Sequence, residues 1–158
     1  MGKKLHKASD ASILQTINVN TFPMVFMTRF LGPDLKARVG TTTKSAVINM
    51  TSYYSESPDK RLPIYSSAKS FADVWSQNLW YENQEMDILT VKNMPIAGKR
   101  CPLGVPAKEV VDGVMLDLGH ERISYGHANH SLFRYWLLFK QNQAWFGPNT
   151  YFGKFAGL

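Results

Sequence analysis

The sequence predicts a mainly β, α+β fold: an antiparallel sandwich, jelly-roll-like, with one amphipathic helix near residues 67–82. Three observations carry this expectation. Short runs rich in β-branched and aromatic residues recur about seven to nine times, Gly/Pro-rich turns separate them, and only one segment has helical spacing. A parallel sheet would need a crossover helix for nearly every strand, which one helix cannot supply. The alternative is an OB-type barrel, which places its single helix between strands three and four and leaves the C-terminal residues as a β extension.

The elements follow in order. ILQTINVN (13–20) sets Ile13, Ile17 and Val19 on alternate positions around Gln15, and MVFMTRFL (24–31) and SAVINMTSYY (45–54) have strand composition. Gly32-Pro33-Asp34 is a turn signal, because Gly permits unusual φ, Pro presets φ and Asp bonds its own backbone. A short strand at 36–39 would point Lys36 and Arg38 to one face. After the polar loop 55–67, Ser67 is the expected N-cap of the helix, in which Phe71, Val74, Trp75, Asn78 and Leu79 fall at i, i+3, i+4, i+7 and i+8. MDILTVK (86–92) and VVDGVMLDL (110–118) read as strands, and Gly113 inside the second suggests a bulge or a close backbone approach. ERISY, SLFRYWLLFK and AWFGPNTYFGKF complete the chain as further strands.

At 158 residues the chain is read as a single domain, 1–158, with a short basic N-terminal segment, 1–12. Its 19% charged residues fall below the roughly 25% typical of soluble chains, while 13% are aromatic. A charge-poor, aromatic-rich surface suits coverage by copies of itself, so a homo-oligomer is expected. No run of about 18 apolar residues is present, so no membrane partner is expected. The basic start lacks an apolar h-region, which argues against a secretory signal and for a virion or cytoplasmic location. The lone Cys101 excludes an internal disulfide framework.

The net charge of +6 is concentrated in the first quarter, where Lys3, Lys4, Lys7, Arg29, Lys36, Arg38 and Lys44 face only Asp10 and Asp34. Such a segment suits a phosphate-bearing partner, so these seven are the candidate nucleic-acid-binding residues. The C-terminal aromatics Trp136, Trp145, Phe146, Tyr151, Phe152 and Phe155 are the candidate subunit interface, since one small core would struggle to bury them all. SLFRYWLLFK alternates into two largely apolar faces, as a strand covered twice would.

The chemistry-bearing motifs are sparse. No G-x-S-x-G, P-loop, G-x-G-x-x-G or H-E-x-x-H occurs. His120, His127 and His130 invite a three-histidine metal site, but if ERISY is a hairpin arm His120 lies about 15 Å from the turn holding the other two. His127 and His130 are the only ligands left, and no metal or other cofactor is expected. No catalytic residue is assigned. These observations favour a non-enzymatic, self-assembling structural protein, such as a viral or phage coat subunit whose basic quarter faces nucleic acid. An OB-type single-strand-binding protein is the alternative, and a metal-dependent hydrolase at the histidine loop is a weaker third.

Overall fold

The computed structural model describes residues 5–98 and 104–146, and the chain divides into two compact units, Met1–His127 and Ala128–Leu158. The first unit is built on a sheet of three strands, β1 (Ala46–Met50), β2 (Asp87–Val91) and β3 (Ile123–Ser124), in the spatial order β1-β2-β3. Both pairings are parallel, with Ala46 beside Asp87 and Thr90 beside Ile123. Helix α1 (Asp10–Ala37) precedes the sheet, α2 (Pro63–Glu82) joins β1 to β2, and α3 (Ala107–Asp117) joins β2 to β3. The second unit contains α4 (Ala128–Phe146).

Strand alternation explains the layering. Leu89 and Val91 of β2 point to one face and pack with Val105, Val110 and Val114, the last two from α3. Ile88 points to the other face and packs with Leu79 of α2, Met86, and half-buried Leu35 of α1 and Val47 of β1. Helices therefore cover both faces of the sheet, which is why β2 carries apolar side chains on both, Ile88 on one and Leu89 and Val91 on the other.

The architecture is thus a parallel α/β sheet, and the expected antiparallel sandwich and OB barrel are both incorrect. The error is physical and local. ILQTINVN and MVFMTRFL are two parts of one helix, α1. Its covered positions, Ile13, Thr16, Asn20, Met24, Thr28, Gly32 and Leu35, recur at three- and four-residue steps, but the outward positions are also apolar, so no clean period of 3.6 appears. Its β-branched threonines fit because the hydroxyls of Thr16, Thr21 and Thr28 donate to the carbonyls of Ser12, Ile17 and Met24, four residues back, at 2.7–2.8 Å. Pro23 and Pro33 sit inside this helix, and the expected strand at 36–39 is its last turn and C-cap.

VVDGVMLDL is α3, not a strand, and presents Val110 and Val114 to the sheet at i and i+4. Gly113 does mark a close approach, though on a helix: a Cβ there would lie 2.0 Å from the carbonyl oxygen of Gly126, itself at φ +69°. ERISY shrinks to the two residues of β3, and SLFRYWLLFK lies within α4, so the expected hairpin does not form. The expected helix near 67–82 is real but begins four residues earlier, with Pro63 in its first turn, where a missing N–H costs nothing. Of AWFGPNTYFGKF, the first three residues end α4 and the rest lie outside the described residues. Among the described residues no helix is long and apolar enough to cross a membrane.

Candidate functional site

In a parallel sheet the segments that leave the carboxyl ends of neighbouring strands converge, and that edge is where such folds place ligands. Here Thr51 and Ser52 follow β1, Lys92 and Asn93 follow β2, and Tyr125 and Gly126 follow β3. The loop after β1 is fastened to the next strand. The Thr51 amide and hydroxyl both donate to the Val91 carbonyl, at 2.8 and 3.1 Å, and the Tyr53 amide donates to the Asn93 carbonyl at 3.1 Å. Ser52 is 5% exposed, and its Oγ accepts from the Tyr54 amide at 3.3 Å.

The α2 helix brings its own polar groups to this edge. Because it starts beside the loop after β1, its first turns supply Tyr65 and, four residues on, Lys69, which is the spacing that stacks side chains on one helix face. The Lys69 Nζ lies 5.7 Å from the centre of the Tyr65 ring and donates to the Met50 carbonyl at the end of β1, at 3.1 Å. Burial pulls the Lys69 ammonium below the ordinary lysine range. Tyr54 packs edge-on against Tyr65, with ring centres 6.1 Å apart. Neighbouring Tyr53 is pushed above the usual phenol range, chiefly by burial and then by its hydrogen bond with Tyr54.

Asn20 of α1 donates through Nδ2 to the Thr16 carbonyl at 2.8 Å, and with Lys69 it lines a groove between α1 and β1. The groove, about 510 Å³, continues along Met24, Thr28, Ile48 and Met50. A serine hydroxyl, a phenol and a held ammonium at the carboxyl edge form a set suited to proton transfer at a substrate oxygen. The hydroxyls can hold and protonate that oxygen, and the cation stabilises the phenolate left behind.

None of these residues was among the sequence-derived candidates. The signal lay in Tyr65-Ser66-Ser67-Ala68-Lys69, which contains the only Lys or Arg of α2. A helix that begins at Ser67 excludes Tyr65, and with it the i, i+4 relation to Lys69 that the observed start at Pro63 creates.

The sequence-derived candidates fall elsewhere. Lys3 and Lys4 lie outside the described residues, and Lys7 ends a short turn at Leu5–Lys7. Arg29 and Lys36 are on α1, Arg38 is its C-cap, and Lys44 is in the loop before β1. Lys36 pairs with Glu85 at 3.1 Å, and Lys44 with Asp87 at 3.4 Å. Trp136 stacks on Phe133 of α4 with ring centres 5.5 Å apart, and Trp145 and Phe146 end that helix. Tyr151, Phe152, Phe155 and Cys101 lie outside the described residues. His127 Nε2 is 3.4 Å from Glu109 Oε2 of α3, while His130 is on α4. Among the described residues no group of three metal-binding side chains is gathered.

Comparison with known proteins agrees with the fold and extends it. The family model described as short chain dehydrogenase matches residues 1–97. The chain is 28% identical over 131 residues to the very-long-chain 3-oxoacyl-CoA reductases of Mus musculus and Bos taurus. That alignment covers 78% of this chain and 41% of each reductase, so the chain spans well under half the length of these relatives. A short chain dehydrogenase from Burkholderia cenocepacia, solved in complex with NADP, superposes with a TM-score of 0.75 at 21% identity, covering 92% of this chain and 64% of that one. These findings overturn the expectations of a coat or virion subunit, of an OB-type single-strand binder and of a metal-dependent hydrolase at the histidines, along with the exclusion of enzymatic activity.

Proposed function

The chain belongs to the short chain dehydrogenase family, and on that premise we propose that Ser52, Tyr65 and Lys69 are the proton-transferring centre of a carbonyl–alcohol interconversion. One observation carries this reading: Tyr65 and Lys69 stand one helical turn apart where β1 ends, with the Lys69 ammonium held on the Met50 carbonyl and near the Tyr65 ring. In the reducing direction the substrate carbonyl carbon gains a hydride and its oxygen gains the Tyr65 phenolic proton, giving the alcohol. Ser52 donates a hydrogen bond to that oxygen, and Lys69 offsets the charge on the phenolate. In the oxidising direction the phenolate takes the alcohol proton back.

A nicotinamide dinucleotide, such as the NADP bound by the Burkholderia relative, would supply the hydride. The Gly-x-Gly-x-x-Gly turn that cradles a pyrophosphate is absent from the sequence, so the assignment concerns the proton and not the hydride. The names of the mouse and bovine relatives make long-chain 3-oxoacyl thioesters the first substrates to try.

The test is reduction of a long-chain 3-oxoacyl-CoA by NADPH, comparing the wild-type protein with Tyr65→Phe. Removing the phenolic oxygen is expected to lower kcat about 10²–10⁴-fold while thioester binding is unchanged. A wild-type protein without turnover, or a Tyr65→Phe variant that keeps pace with it, would overturn the assignment.

A further inference from the structure

Beside the reacting centre lies a charged cluster with no part in the proton transfer. Lys92, the first residue past β2, is 3% exposed, and its ammonium contacts Glu56 Oε1, in the loop after β1, and Asp73 Oδ2 of α2, the latter at 2.9 Å. Tyr125, the first residue past β3, donates its hydroxyl to Glu56 Oε2 at 3.2 Å. One lysine thus joins the loop of β1 and the helix α2 at the end of β2, with β3 attached through Tyr125.

Burying an ammonium between carboxylates is costly, and apolar residues of similar volume often serve stability as well or better. What the cluster fixes is geometry. Ser52 and Glu56 belong to one tight turn: the Ser55 amide donates to the Ser52 carbonyl at 2.9 Å, and the Glu56 and Ser57 amides donate to the Tyr53 carbonyl at 3.1 and 3.0 Å. Asp73 stands on α2 one turn past Lys69 and two past Tyr65. Its second oxygen, Oδ1, is buried without a hydrogen-bond partner, so the ion pair with Lys92 is the contact that holds this carboxylate.

We propose that Lys92 is a positioning residue, bridging Glu56 and Asp73 so that the turn carrying Ser52 is held in register with the helix carrying Tyr65 and Lys69. The catalytic part of this statement rests on the assignment of those three residues above; the clamp itself does not.

The experiment combines hydrogen exchange with kinetics on the whole protein, using Lys92→Met, Lys92→Arg and Glu56→Gln. Glu56 is the more exposed partner, so Glu56→Gln tests the clamp even if Lys92→Met fails to fold. The expected result is at least about 10-fold faster amide exchange across 51–57 relative to the amides of β2, in Lys92→Met and in Glu56→Gln. With it, kcat falls about 10- to 100-fold at nearly constant KM, and Lys92→Arg recovers most of both. Unchanged exchange at 51–57, or faster exchange spread evenly over the first unit, overturns the clamp. If the wild-type protein does not turn over, the proton-transfer assignment fails by itself, and the exchange result still decides the bridge.

Discussion

Helices α1 and α2 pack against each other at the sheet, yet they distribute their residues in opposite ways. On α2 the inner face is Ala68, Ala72, Ser76 and Leu79, and the more exposed side mixes polar groups with Phe71 and Val74. On α1 the fully buried residues are Thr21 and Gly32, whereas Phe22, Phe26 and Phe30, one turn apart, are 46–72% exposed. Helix α2 advertises its buried side through hydrophobic spacing and α1 conceals it. Apolar spacing reports which face is covered only when the other face is polar. On α1 the fully buried positions are taken by threonine and glycine rather than by large hydrophobes, so no apolar stripe marks them.

The sharpest way to break this comparison is to truncate one residue on each helix. Leu79→Ala removes a side chain 5% exposed, packed with Met86 and Ile88, and is expected to lower unfolding stability by about 2–4 kcal/mol. Phe30→Ser, at a position 72% exposed, is expected to stay within about 0.5 kcal/mol. Denaturant melts of both variants check the pair. Equal losses would show that the outward phenylalanines of α1 are as structural as the core of α2.

The same contrast explains what was legible in the sequence. The helix at Phe71–Leu79 and the strands at Ala46–Met50 and Asp87–Val91 were recoverable, because spacing or composition matched one period only. Helices α1, α3 and α4 read as strands in the sequence for different reasons: Ile, Val, Thr and Phe occur around α1, where Ile13, Ile17 and Val19 fit alternation by coincidence, valines open α3, and aromatic residues and leucines fill α4. Losing α3 removed a crossover, and with it the reason to consider a parallel sheet. The reacting residues were hidden for a related reason. Ser52 follows a strand and Tyr65 opens a helix, so neither carries a periodic signature, and only the fold brings them to one edge.

Across the sheet, α3 gives a case set by backbone contact rather than by side chains. Ala at position 113 would improve helix propensity by up to about 1 kcal/mol, but its Cβ would meet the Gly126 carbonyl, and backbone cannot rotate away as a side chain can. The clash is expected to win, with Gly113→Ala losing about 1–3 kcal/mol in a thermal or urea melt. A neutral or stabilised variant would mean that α3 can slide off the Tyr125–His127 segment without cost.

The smallest effect belongs to the two helix starts. Ser9 caps α1 by accepting from the Ser12 amide at 3.4 Å, whereas Leu62 before α2 makes no side-chain cap. The turn before α2 is instead set by Asp59, which accepts from the Arg61 amide at 2.7 Å and from its guanidinium, while the Asp59 amide donates to Ser66 Oγ of α2 at 3.4 Å. The Arg61 hydrogen bonds hold the Asp59 carboxyl down at about 2, from its ordinary 3.8. A carboxyl whose pKa is depressed in the folded state favours folding once pH exceeds the unfolded value, and that contribution disappears as pH falls through the folded one. The melting temperature of the wild-type protein should therefore exceed that of Asp59→Asn by a small, constant margin above about pH 4 that closes as pH approaches about 2. A margin that persists to pH 2 would mean that Asp59 shapes the turn through contacts that do not need its charge.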